Sequence, residues 1–200
     1  MSDSEVSARE RILATAGGCF AKQGFDGISV ADIAAASGVS TGLVYYHFKD
    51  KAALYESVVR EGLLLLEDTA VRTLDSDERP LDRIRAFIGE YMSLLDGQPA
   101  LMQLFIRSVT DVSTLPPGHV LMRSATTIDR LQAVIDEGIA CAEFRDMDSR
   151  LAATALFALV NTLITARVLE TPPGDDSGDS VEVRAEFMAE LFLRGVATCS

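Results

Sequence analysis

The stretch that most restricts what this chain can fold into is Ser29 to Lys51, SVADIAAASGVSTGLVYYHFKDK. Ser29 is a strong N-cap residue, and Asp32 three positions later supplies the acidic partner of a capping box. Val30, Ile33 and Ala34 recur at helical spacing and give one apolar face. Gly38 follows Ala34-Ala35-Ala36-Ser37, where a left-handed residue ends a helix. Ser40 can cap a second short helix, in which Val44 and Phe48, four apart, point inward. Thr41, Gly42, Tyr45, Tyr46 and His47 are then left on the outer side. Two tyrosines and a histidine facing water waste apolar area unless something binds there. The pattern predicts a helix-turn-helix that offers its second helix to a DNA major groove.

With their neighbours, these residues resemble the DNA-binding head of the TetR family of bacterial transcriptional repressors. The resemblance rests on Ile12 to Phe20 followed by Gly24-Phe25, on Ser29 to Ala34 and on Ala36 to Ser40. Above all it rests on Tyr45-Tyr46-His47-Phe48-Lys49-Asp50-Lys51. It covers residues 9–55, about a quarter of the chain; the remainder matches only in length and helical character. It implies an N-terminal DNA-binding domain, residues 1–51, and a C-terminal ligand-binding and dimerisation domain, residues 52–200. It also implies that Tyr45, Tyr46 and His47 contact phosphates or neighbouring bases, and that Lys51 holds a phosphate. Thr41, Gly42 and Leu43 are expected at base edges. Gly42 lets the backbone approach, Thr41 can hydrogen-bond and Leu43 can meet a thymine methyl. Ser29 and Ser40 sit at helix N-termini, where free amides attract phosphate oxygens. A purely capping role for both stays open. The second helix has no Arg or Lys, so a bidentate Arg–guanine contact is not available there.

Charge tests this reading. The chain has a formal net charge of −12, which opposes nucleic acid if spread evenly. It is not spread evenly. Residues 1–51 hold five basic and six acidic side chains, so most of the negative charge belongs to the rest, and all three lysines (Lys22, Lys49, Lys51) lie in this head. A nearly neutral head can approach phosphates, with modest nonspecific affinity that is steep in salt. Cys19, Cys141 and Cys199 are scattered and odd in number, which fits neither a disulfide framework nor a zinc site and suits a reducing cytoplasm. The first dozen residues are polar and carry no apolar signal core. Leu151 to Leu169 is nearly long enough to span a bilayer. It contains Asn161, Arg167 and three threonines, however, and its alanines suit close helix packing inside a soluble dimer.

Along the chain the spacing predicts an all-α protein of about nine helices. A frayed arm, residues 1–7, precedes a helix from Ala8 to Gln23 that buries Ile12, Ala16, Cys19 and Phe20, with Phe25 as a core plug. Val30 to Ser37 and Thr41 to His47 form the next two helices. A long helix from Lys51 to Leu74 carries Leu54, Val58, Leu63, Leu65 and Leu66, too many for one narrow stripe, which predicts cover on both faces. After the polar break Asp75 to Pro80, a helix starting at Pro80 or Leu81 carries Ile84 to Leu95 as far as the break at Gly97-Gln98-Pro99; the next carries Leu101 to Val109, and others run from His119 to Cys141, Ser149 to Glu170 and Val181 to Thr198. A proline-rich turn is expected at Thr114 to Gly118 and a mobile acidic loop at Thr171 to Ser180.

Catalytic constellations are poor. His47 and His119 are the two histidines, and Cys141 with His119 has no orienting partner. Paired carboxylates such as Asp136-Glu137 read as solvated surface, and there is no phosphate loop and no metal spacing. No catalytic residue, metal or cofactor is expected. Polar residues within apolar helices of the body are instead the candidates for binding an effector: Tyr91, Gln103, Arg107, Asn161 and Thr165, with Glu90, His119 and Thr162 behind them. Each could equally bridge helices or pair at the surface. The expected whole is a cytoplasmic homodimeric repressor that binds a palindromic double-stranded operator and is released by an apolar or amphipathic small molecule. The rival is a ligand-binding or protein-interaction dimer whose head no longer binds DNA, favoured by the acidic balance and the uncharged second helix.

Overall fold

The computed structural model describes residues 7–98, 119–170 and 180–197, and the side chains among these except at 119–124 and 167–170. Eight helices make up the described residues: α1 Ala8–Gln23, α2 Val30–Ala36, α3 Thr41–His47, α4 Lys51–Leu74, α5 Pro80–Asp96, α6 His119–Ala140, α7 Ser149–Glu170 and α8 Val181–Val196. The helix expected at Leu101 to Val109, the proline-rich turn and most of the acidic loop lie outside them. The described residues form two compact units, one reaching to Leu64 and the other beginning at Leu65.

In the first unit, α1 packs against α2 and α3. Ile12, Ala16, Phe20, Ile33, Val44, Phe48 and Leu54 are buried, the fixed helical stripes that the spacing implies. Ser7 belongs to α1 rather than to a frayed arm: its hydroxyl accepts from the Glu10 amide while the Glu10 carboxylate accepts from the Ser7 amide. That bonding holds the Glu10 carboxyl below its ordinary value. Cys19, expected in the core, is only half-buried. It comes one residue before Phe20, off the 12–16–20 stripe, and so turns toward the edge of the packing.

In the second unit α5 is central and packs against α6, α7 and α8. Its Ile84, Phe87, Ile88, Tyr91, Met92 and Leu95 are all buried. From the neighbours come Leu131, Val134 and Ile135 of α6, Leu156 and Val160 of α7, and Met188 and Phe192 of α8. Arg83 of α5 donates to the Leu74 carbonyl, satisfying an end group of α4, and pairs with Glu137 at 2.7 Å. Arg130 pairs with Asp75. Within α4, Leu54, Val58, Leu63 and Leu66 are buried, but Leu64 and Leu65 are over 40% exposed. The cover expected on both faces is therefore absent at Leu65, which falls off the 3.6-residue stripe.

Candidate nucleic-acid interface

The turn between α2 and α3 is built by local chemistry. Ser29 Oγ accepts from the Asp32 amide at 3.1 Å, and the Asp32 carboxylate accepts from the Ser29 amide at 3.1 Å. The Ser29 hydroxyl also donates to that carboxylate, and these bonds hold the Asp32 carboxyl below its ordinary value. The helix closes at Gly38, whose φ of +66° lies in the left-handed region, where a side chain would be strained. Ser40 opens α3, its Oγ accepting from the Leu43 amide at 3.2 Å. Both serines are thus engaged as caps, and both are exposed.

These caps set the rotation of α3. Val44 and Phe48 are 1% and 4% exposed, whereas Tyr45 and Tyr46 are 52% and 81% exposed. Thr41 and Gly42 are exposed, and Leu43 and His47 half-buried. Tyr46 and His47 meet edge to face at 5.1 Å. A Cβ added at Gly42 would meet nothing nearer than Ser40 Oγ at 3.9 Å, so packing does not require glycine there. Lys51 opens α4, whose Ala53 amide is capped by Asp50 at 2.8 Å. Its ammonium lies 4.7 Å from the Phe25 ring centroid. Phe25, expected as a core plug, is half-buried and touches Phe20 and Tyr55. Its contact with Lys51 was not legible in the sequence, since 26 positions separate the two.

The effector candidates divide. Tyr91 is buried, and burial pushes its phenol above the ordinary range, opposed by the nearby Asn161 side chain. Asn161 Nδ2 donates to the Phe157 carbonyl at 2.7 Å, and its buried Oδ1 has no partner. The structure therefore brings Tyr91 and Asn161 together. It adds Phe157, 6.1 Å from the Tyr91 ring, which its place four residues before Asn161 puts on the same helix face. Thr165 and Thr162 spend their hydroxyls on the carbonyls of Asn161 and Ala158. Glu90 pairs with Arg72 at the surface, on the outer face of α5. Gln103 and Arg107 lie outside the described residues, as does the side chain of His119. A shallow groove of about 400 Å³ lined by Asp75, Arg83, Thr126, Asp129, Arg130 and Ala133 is charged. Its arginines are already committed to Leu74, Glu137 and Asp75. Among the described residues no group of His, Cys, Asp and Glu is placed to hold a metal.

Residues 12–58 match the model of bacterial regulatory proteins of the tetR family, and residues 77–165 match the tetracyclin repressor-like C-terminal domain. The two matches together span well over half of the chain, and the chain belongs to the TetR family of helix-turn-helix, DNA-binding transcriptional regulators. A similar curated relative is the repressor KstR2 of Mycolicibacterium smegmatis, 28% identical over 145 residues, which are 72% of this chain and 71% of the relative. Among solved structures, FadR of Bacillus subtilis in complex with stearoyl-CoA superposes with a TM-score of 0.75 at 21% identity, covering 92% of this chain and 97% of the other. AibR in complex with isovaleryl coenzyme A and operator DNA gives 0.74 at 20% identity, with the same coverage. At those identities the likeness is one of fold.

Proposed function

We propose that the chain is a ligand-responsive repressor acting as a homodimer on a palindromic operator, with α3 as its recognition helix. The observation that carries the reading is the split of α3: Val44 and Phe48 are sealed in the core, while Tyr45 and Tyr46 stand in solvent beside an exposed glycine. An aromatic face of that kind is stabilised by a partner surface. Thr41, Gly42 and Leu43 meet base edges. Tyr45, Tyr46, His47 and Lys51 meet phosphates or adjacent bases, and Ser29 and Ser40 hold the helix ends toward the backbone.

Dimerisation is supported by two further apolar stripes. Val183, Phe187 and Leu191 recur every four residues along α8 and are 56%, 61% and 54% exposed. Leu151 and Leu159 of α7 are 66% and 43% exposed. The segment Ser149–Ala166 is long and apolar enough to cross a membrane, yet only 22% of it is buried within the chain. Its threonines and Asn161 favour a second copy over lipid as its cover. Two-fold symmetry would then set the recognition helices roughly 34–36 Å apart, one turn of duplex. Such a regulator works in the cytoplasm, where the DNA is.

The effector site is assigned to the body near Tyr91, Asn161 and Phe157, with an apolar or amphipathic ligand. The coenzyme A thioesters held by FadR and AibR make acyl-CoA the first class to try. An effector's leverage equals its differential affinity for the DNA-competent and released states, typically about 1–3 kcal/mol of coupling. The test is an anisotropy titration on a duplex selected by the protein from a random-sequence pool. Tyr45→Ala and Lys51→Ala should each weaken binding with the fold intact, and stearoyl-CoA or isovaleryl-CoA should release the duplex. Unchanged affinity in both variants would refute the interface.

A further inference from the structure

We infer that Phe25 is a positioning residue for DNA binding: its ring seats the Lys51 ammonium and holds it ready for a phosphate oxygen. The inference rests on the reading of Lys51 as a phosphate contact. Lys51 Nζ stands 4.7 Å from the ring centroid, inside the roughly 6 Å over which the negative face of an aromatic ring attracts a cation. The ring is itself held. It stacks on Phe20 at 6.2 Å and meets Tyr55 edge-on at 5.4 Å, while Phe20 and Tyr55 meet edge-on at 5.0 Å. Phe20 and Tyr55 are 0% and 2% exposed, so the triad is anchored in the core.

The neighbouring Asp50 is engaged as the cap of α4, its Oδ1 accepting from the Ala53 amide. A lysine loses rotamer freedom when it clamps a phosphate. One already resting on a ring has lost part of that freedom beforehand, and its N–H groups turned away from the ring can still donate. The effect matters in this chain because α3 has no Lys or Arg, so each cation beside it carries a large share of the phosphate contact.

The probe is the duplex selected from a random-sequence pool by the wild-type protein, titrated at several salt concentrations. The variants are Phe25→Leu, Phe25→Trp, Lys51→Ala and the double variant Phe25→Leu/Lys51→Ala. Phe25→Leu is expected to weaken binding about 5- to 30-fold, counting one Lys51 in each half-site. Phe25→Trp should retain most of the affinity, and Phe25→Leu should add no further loss once Lys51 is gone. In parallel, NMR should find the Lys51 ε-methylene protons shifted upfield by the ring in wild type and returned to their ordinary position in Phe25→Leu. If Lys51→Ala binds like wild type, the phosphate reading and the inference fall together. If Lys51→Ala weakens binding but Phe25→Leu does not, or the two losses simply multiply, the inference alone falls. Should Phe25→Leu fail to fold, Phe25→Met replaces it. Unshifted ε-methylene protons in the wild type overturn the seat in any case.

Discussion

A glycine inside a helical turn costs about 0.5–1 kcal/mol relative to alanine, and Gly42 occupies such a turn with open space around it. Gly42→Ala is therefore expected to raise stability by about that amount in thermal or urea unfolding while lowering operator affinity. A stabilised variant with undiminished affinity would remove Gly42 from the interface. Ser29 makes the opposite case, a residue the fold needs. Ser29→Ala should destabilise the protein by about 1 kcal/mol through the lost cap. Part of that gap depends on pH. The Ser29 bonds hold the Asp32 carboxyl below its ordinary value of 3.8, so their contribution is complete above pH 3.8 and fades as pH falls through the lower, folded value. Unfolding curves of wild type and Ser29→Ala should thus converge on acidification. The caps at Ser29 and Ser40, the left-handed Gly38 and the inward Val44 and Phe48 were legible because each depends on spacing of four residues or fewer, although the Ser7 cap of equal spacing was not. The Phe25–Lys51 contact and the Asn161 partnership with Tyr91 were not, because only the packed fold brings those positions together.

At the scale of elements, five of the eight helices (α1, α3, α4, α5 and α7) have the bounds their caps and apolar periods imply. The misses are terminal. Ser37, expected inside α2, closes it instead, its hydroxyl donating to the Ile33 carbonyl at 2.7 Å. Beyond α6, Ala142 takes a left-handed φ of 63°, and the chain returns so that the Phe144 amide donates to the Gly138 carbonyl at 3.0 Å. This return has no signature in the sequence, because alanine usually continues a helix. It does explain Gly138, where an added Cβ would stand 2.1 Å from the buried Phe144 ring. Gly138→Ala should destabilise the protein by about 1–3 kcal/mol through overpacking, measured by urea unfolding. A neutral result would mean that Phe144 can leave its seat.

At the scale of the whole molecule, the acidic body and nearly neutral head, the apolar stripes of α7 and α8 and the aromatic face of α3 would share one explanation in the proposed two-fold assembly on duplex DNA. Only the fold shows that Val183, Phe187 and Leu191, four apart along α8, stand exposed among the described residues. Phe187→Glu should therefore yield monomers by sedimentation and abolish high-affinity operator binding, while far-ultraviolet circular dichroism stays helical. A Phe187→Glu protein that remains dimeric would move the interface elsewhere. The most direct test is hydroxyl-radical footprinting of the selected duplex. The account predicts two symmetric protected patches about one helical turn apart, both lost in Tyr45→Ala/Tyr46→Ala at unchanged stability. The same footprint in that variant would contradict the assignment of α3 as the helix that meets DNA.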